Sequence, residues 1–249
     1  MLRYALIGCG VVAAKHLKAA LYHKKDLEIC ALVDSSQDAM TSLLLRSNLR
    51  TKPEAVIKQY EAAAEMLEQE RPELTAITTP SGSHFHLAKA ALLADSHVIV
   101  EKPLTLSLQE ADELLELANR KNLKIAVGHI YRFFPLVQLI QKQLREERWG
   151  RILYGDVKVR WGHDQAYYDQ AGWRGTWQAD GGALMNQSIH ALDLMLWLLG
   201  GNITAACGWI DQLSHQMAAA DFGLGMFRLD NGVYCSLEGT TRTDPGREE

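Results

Sequence analysis

The sequence predicts an α/β chain whose first half is a parallel sheet wrapped by helices and whose second half turns to β-strands. Three observations predict it: apolar strands alternate with helical stretches as far as Val127, a glycine turn follows the first strand, and an Asn231-Gly232 hairpin signal lies near the end. The character of the chain changes after Gly128, which sets domain limits of 1–128 and 129–249.

The totals fit this reading and exclude other classes. Of the 249 residues 47% are hydrophobic and 22% charged, with a formal net charge of -4. No basic run exceeds a pair, so neither nucleic acid nor an anionic membrane is an expected partner. The longest apolar stretch, Ile189 to Leu199, is interrupted by His190 and Asp193 and is too short to span a bilayer. With the N-terminus entering a strand directly, a cytoplasmic protein is expected. Cys9, Cys30, Cys207 and Cys235 show no C-x-x-C spacing, so neither disulfides nor a metal site is expected.

Arg3 to Ile7 is a short strand, followed by Gly8-Cys9-Gly10-Val11-Val12-Ala13 and a helix through Lys24. In a dinucleotide-binding turn the first glycine permits the tight bend and the second lets a pyrophosphate approach the backbone. The phosphates would then lie on the helix N-terminus, against Gly8, Gly10, Val11 and Val12. Leu27 to Val33 is a second strand, and Asp34 at its end is placed to accept hydrogen bonds from ribose hydroxyls, with Ser35 beside it. The alternative for Asp34 is a cap on the helix beginning near Gln37. No arginine or lysine occurs from Ser35 to Asp38 to meet a 2'-phosphate, which favours NAD over NADP.

From Gln37 to Arg71 the pattern is helical and polar, broken by Pro53, with a short strand expected over Ala55 to Lys58. Leu74 to Thr78 is the next strand and ends in Thr79-Pro80-Ser81-Gly82-Ser83-His84, a turn feeding an alanine-rich helix to Ala94. His84 and His86 do not share a helix face, so capping or cofactor contact is expected of His84 rather than metal binding. His97 to Val100 is a strand that presents Glu101-Lys102-Pro103. Ligands of an open parallel sheet bind beyond its carboxyl ends, so Lys102 delivers an ammonium group there. Ser107 is expected to cap the helix to Lys121, with Glu110 completing a capping box, and Lys124 to Val127 closes the alternation.

His129 to Pro135 leads into a helix ending near Gly150, and Leu153 to Trp161 alternates as a strand. The long polar and aromatic loop Gly162 to Asp180 holds Tyr167, Tyr168, Trp173, Arg174 and Trp177, and loops of such length in compact domains are usually functional. Leu184 to Leu199 is a helix that must be largely buried. Asn186, His190 and Asp193 share one of its faces, an arrangement in which amide and carboxylate could orient the imidazole. The strands Ala205 to Leu213, Phe222 to Arg228 and Val233 to Glu238 complete the chain, with Thr243 to Glu249 as a tail.

Together G-x-G-x-x-A at Gly8 to Ala13, Thr79-Pro80 with His84, Glu101-Lys102-Pro103, and the glycine-led helix with Asn186 and His190 resemble the glucose-fructose oxidoreductase, inositol dehydrogenase and MocA family. The resemblance implies a Rossmann domain, a doubly wound parallel sheet, followed by an α+β domain with an open, mostly antiparallel sheet whose far face makes a homo-oligomer contact, in a dimer or tetramer. It implies Lys102 and His190 as the catalytic pair. It also implies NAD contacts from the glycine turn, Asp34, Ser35, Thr79, Pro80, His84, Glu101, Lys102, Trp173 and Arg174. Tyr167-Tyr168, Trp173 to Trp177, Asp180 to Gly182 and Met185 to Gln187 resemble more closely the branch that oxidises UDP-N-acetylglucosaminuronic acid at C3. Substrate contacts are then expected from Lys102, Tyr168, Arg174, Asn186 and His190. Two departures stand out: Asn186 replaces an aspartate common in the wider family, and the chain stops before the final strands of its relatives.

Oxidation of a secondary alcohol needs a base with a pKa near the operating pH, which histidine meets unaided. His190 is therefore the expected base and Lys102 the charge that stabilises the developing alkoxide, although the reverse assignment, with a buried lysine of lowered pKa, is open. The competing expectations are a dehydrogenase of a free polyol such as myo-inositol, and a non-catalytic regulator that binds NAD or a sugar.

Overall fold

In the computed structural model the structure describes residues 1–47 and 57–248, the side chains of 245–248 excepted. The chain divides into two compact units, Met1–Gly128 and His129–Glu249.

The first unit is a six-stranded parallel sheet of β1 (Leu2–Ile7), β2 (Leu27–Val33), β3 (Lys58–Tyr60), β4 (Leu74–Ile77), β5 (His97–Val100) and β6 (Ile125–Val127). Its order is β3-β2-β1-β4-β5-β6, the doubly wound arrangement in which the strand sequence reverses between β1 and β4. Because successive strand residues face opposite sides, Tyr4 and Leu6 enter one core and Ala5 and Ile7 the other. The first core is covered by α1 (Ala13–Tyr22) and α2 (Gln37–Arg46). The second is covered by α3 (Ala63–Glu70), α4 (His84–Leu93) and α5 (Leu108–Arg120). Two cores on two faces require apolar residues at consecutive strand positions, which is why these strands read as continuous apolar runs.

Several expectations are refined. Pro53 and the first half of the strand expected over Ala55 to Lys58 lie outside the described residues, and β3 begins at Lys58. Ser107 stands at the N-cap of α5 but its side chain makes no capping bond, so the capping box is not formed. Instead Thr105 Oγ1 donates to Ser107 O at 2.7 Å. Ser36, not Asp34, caps α2: its hydroxyl accepts from the Ala39 N–H at 3.2 Å.

The second unit opens with a 3-10 turn, Ile130–Phe133, and α6 (Pro135–Arg145). Its sheet comprises β7 (Tyr154–Gly162), β8 (Ile203–Asp211), β9 (Phe222–Leu229), β10 (Tyr234–Thr240) and β11 (Arg242–Glu248), in the order β11-β7-β10-β9-β8. Every pairing is antiparallel except β7 with β10, so the sheet is open and mostly antiparallel. The residues read as a tail form β11, which covers the edge of β7. Gly232, at φ 82°, turns the β9-β10 hairpin in the left-handed region that glycine enters without a Cβ clash. The loop of 162–180 contains a short helix, α7 (Gln165–Asp169), whose N-cap Asp164 accepts from the Tyr167 N–H at 2.9 Å.

The glycine-led helix differs from the expected single α-helix. Ala183–Ser188 is π-helical and α8 proper spans Ile189–Leu199. Of α8 only Ala191 and Met195 are buried, and no residue of it is exposed. Met195 packs with Leu229, Val233 and Cys235 in the core of this unit. The other face of the sheet is uncovered: Trp209 lies 69% exposed opposite Leu224, and Cys207 opposite Met226. Among the described residues no helix is long and apolar enough to cross a membrane.

Candidate active site

In the first unit the predicted cofactor residues gather at the carboxyl ends of β1, β2, β4 and β5, around the point where the strand order reverses. Gly8 has φ 92°, and a Cβ there would stand 2.8 Å from the Thr78 and Thr79 backbone. The first glycine is thus demanded by the neighbouring β4 turn. Gly10 has nothing within 4 Å of a would-be Cβ, so its backbone is open to a ligand. Val11 is exposed, and neither a side-chain cap nor an acidic residue occupies the first turn of α1, whose N–H groups point from Val12 onward.

Asp34 ties this turn to β2. Its Oδ2 accepts from the Cys9 N–H at 2.7 Å and its Oδ1 from the Ser36 N–H at 2.9 Å, with exposed Ser35 between. Each oxygen retains a lone pair, which fits a ribose diol. An open glycine turn, an uncapped helix start and a carboxylate beside them fit NAD, which supplies the hydride acceptor when bound.

Thr79, Pro80 and His84 lie at the exit of β4, and Glu101 and Lys102 at that of β5. The Lys102–Pro103 peptide bond is cis. Glu101 Oε1 is 2.8 Å from His16 Nε2 on α1. Burial pushes the Glu101 pKa up, but the His16 hydrogen bond and the charges of His16 and Lys102 outweigh it and hold the carboxyl below its ordinary value. Gly128 leaves room for that carboxylate, since a Cβ there would lie 3.1 Å from Glu101 Oε2.

His84 is buried, with Nδ1 2.8 Å from Pro103 O and Nε2 2.9 Å from Thr79 O. Both ring nitrogens are directed at protein carbonyls, so the ring is held between the two loops.

In the second unit His190 stands between two aromatic neighbours, with its ring centroid 6.0 Å from that of His129 and 5.2 Å from that of Tyr131. Asn186 and Asp193, the residues expected to orient this imidazole, also have partners elsewhere. Asp193 is gripped by Arg132, Nε to Oδ2 at 2.7 Å with a second guanidinium contact to Oδ1, and lies 3.5 Å from His129 Nδ1. Asn186 donates to Asp180 Oδ1. The π-helical residues widen the turn that carries Asn186, and the Arg132 guanidinium makes a charge-assisted contact with the Asp193 carboxylate.

The aromatic loop is corrected too. Tyr168 is buried, its hydroxyl donates to Thr241 Oγ1 at 2.8 Å, and burial pushes its pKa to about 12. It is a core residue of the loop. The Tyr167 ring stacks on His163 at 3.8 Å with a 6° interplanar angle, and Arg174 lies over it at 3.9 Å. The Arg174 guanidinium is also 5.0 Å from the Trp173 ring, and its buried Nε has no hydrogen-bond partner among the described residues. Burial and the nearby Arg174 charge lower the His163 pKa, which keeps that ring neutral beneath the stack. Asp180, buried, accepts from the Gly175 N–H at 2.9 Å and so fixes the turn after Arg174.

Sequence reasoning assigned no role to His163, His16, His129 or Tyr131, and it quoted Tyr167 and Asp180 only as parts of motifs. The adjacent tyrosines signalled the loop, but nothing local says which of them is buried.

The fold and these two constellations define an NAD-binding oxidoreductase. Residues 2–129 match the family model "Oxidoreductase family, NAD-binding Rossmann fold" and residues 137–249 the "GFO/IDH/MocA C-terminal domain", so the chain belongs to the Gfo/Idh/MocA oxidoreductase family. It is similar in structure to the WlbA dehydrogenase of Bordetella pertussis in complex with NADH and UDP-GlcNAcA, with TM-score 0.90, 28% identity, and coverage of 98% of this chain and 72% of that one. The WlbA dehydrogenase of Chromobacterium violaceum, with the same ligands, gives TM-score 0.90, 31% identity, and 98% and 68% coverage. A UDP-N-acetylglucosamine 3-dehydrogenase of Acidithiobacillus ferrooxidans is 30% identical over 169 residues, which are 66% of this chain and 47% of that enzyme.

Proposed function

We propose that the chain oxidises a secondary alcohol of a nucleotide sugar, C3 of UDP-N-acetylglucosaminuronate, with NAD as oxidant. The observation that carries the substrate class is Arg174, held flat on Tyr167 and left without a partner at Nε. A stacked planar fork suits a carboxylate or diphosphate, which a free polyol lacks. The likeness to two dehydrogenases with UDP-GlcNAcA bound supports it.

In this reading NAD, held at the glycine turn and Asp34, would accept the hydride when bound, and the hydroxyl proton passes to His190. Lys102 stabilises the oxygen as its charge develops, a role for a point charge with fixed geometry. Asn186 can orient a hydroxyl but cannot take its proton. Trp173 completes the surface beside Arg174. The uncovered sheet face with Trp209, Leu224 and Met226 is a contact between copies of the chain, and Trp209→Glu would lower the mass seen by light scattering.

The deciding experiment compares NADH formation with UDP-N-acetylglucosaminuronate, UDP-N-acetylglucosamine and myo-inositol, for the wild type and Arg174→Ala. Faster turnover of inositol, indifferent to Arg174→Ala, would replace the nucleotide-sugar reading with the polyol one. No turnover of any of them, with NAD bound, would favour a ligand-binding regulator.

A further inference from the structure

Two histidines that take no part in the proposed chemistry stand on either side of Lys102. His16 on α1 reaches Glu101 Oε1 at 2.8 Å, and His84 reaches the Pro103 carbonyl at 2.8 Å. The other nitrogen of His84 reaches Thr79 O at 2.9 Å. At 1% exposure this ring has no freedom to swing to water.

The connections continue beyond Thr79. Thr78 Oγ1 donates to Gly8 O at 2.6 Å, and the Thr78-Thr79 backbone lies against Gly8, where a Cβ would come within 2.8 Å. Glycine turn, β4 exit, His84 and Pro103 are therefore linked in series. A 1 Å misplacement of a reacting group can cost roughly 100-fold in rate, so a rigid link of this kind bears on turnover.

We propose that His84 is a positioning residue for Lys102, bridging Thr79 O and Pro103 O so that the lysine is held at a set distance from the dinucleotide turn, with His16 steadying Glu101 on its other side. The proposal rests on the reading of Lys102 as a reacting group. Carbonyl oxygens only accept, so a neutral ring holds one of the two and only the imidazolium holds both. Burial above all, and then Lys102, oppose that charge, and they outweigh the Pro103 and Thr79 carbonyls and Glu101 that favour it, so the pKa is lowered. A substitution at His84 can therefore remove one tie or both.

The test reads Lys102 directly. Wild type, His84→Gln and His84→Leu are labelled with trace acetic anhydride across pH 6–11 and the Lys102 peptide is quantified by mass spectrometry, with exposed Lys18 as internal reference. Leucine removes whatever tie the ring makes, and its Lys102 profile should move toward that of Lys18, with kcat falling about 10-fold or more while the KM for the sugar changes by less than about 3-fold. Glutamine keeps one donor and should give an intermediate profile. A Lys102 profile unchanged in folded His84→Leu overturns the proposal. Should that variant not fold, His84→Gln decides alone: a displaced profile supports the brace and an unmoved one overturns it. Labelling needs no sugar, so a displaced profile in a protein that oxidises none of the sugars would keep the brace and remove only the nucleotide-sugar reading.

Discussion

Arg174 lies 3.9 Å over the Tyr167 ring, and that ring is itself stacked on His163. The guanidinium is thereby held flat before any ligand arrives, which reduces the ordering cost of binding an anion. Arg174→Lys keeps the charge and loses the fork, and should weaken binding of the anionic substrate by about 2 kcal/mol, some 30-fold in KM. Tyr167→Leu should raise KM with a smaller effect on kcat, whereas Tyr168→Phe should lower the melting temperature instead, because its hydroxyl serves Thr241. Steady-state kinetics beside thermal unfolding separates the two tyrosines.

Asp34 should set the cofactor preference. A 2'-phosphate would meet its carboxylate with like charge, so NADP(H) should bind more weakly than NAD(H) by about 2 kcal/mol or more. Asp34→Asn should narrow that gap in fluorescence titrations while preserving one acceptor for the Cys9 N–H. Equal affinity of the wild type for both cofactors would restrict Asp34 to holding the glycine turn.

Lys102→Ala and His190→Ala should each lower kcat by roughly 100-fold or more with NAD binding retained. If both act on one oxygen, the double variant should be little worse than the poorer single one. Full turnover by His190→Ala would make that imidazole a packing residue between His129 and Tyr131.

The Arg132–Asp193 pair fastens the 3-10 turn to α8, and its aspartate is largely buried. Arg132→Leu removes the guanidinium from that largely buried carboxylate and should destabilise the second unit by about 3 kcal/mol. The urea midpoint of unfolding measures it. Kinetics should also suffer, since the same turn carries Tyr131 against His190.

Asp221 makes the acid limb of stability testable. Burial would raise its pKa, but the N–H groups of Leu213, His215 and Ser214 and the His215 ring hold it below the ordinary aspartate value. A lowered folded pKa means the unfolded chain binds the proton first. The stabilisation is complete above about pH 4 and disappears as pH falls through the folded value. Asp221→Asn should therefore be less stable at pH 7 and show a flatter decline below pH 4 in urea titrations.

The limits of local reading show in particular residues. The alternation of apolar strands with helices placed β2 at Leu27–Val33 and β5 at His97–Val100, because two cores on two faces demand continuous apolar runs. By contrast β11 was invisible: Thr243-Asp-Pro-Gly carries no alternation, and the strand pairs through Arg242, Arg247 and Glu248 on either side of that irregular stretch because β7 offers an open edge.

By itself the sequence determined the doubly wound sheet, the glycine turn with Asp34, and the delivery of Lys102 and His190 by a strand end and a helix, since periodicities of two and 3.6 residues and the demands of a tight turn act locally. Only the tertiary structure decided which polar group meets which. Asp193 met Arg132 and His129, Tyr168 turned inward and Tyr167 lay beneath Arg174, and His84 met two backbone carbonyls. Those pairings join residues far apart in the chain. They depend on how strands and helices pack and on a π-helical stretch that widens one turn, and neither leaves a trace in spacing.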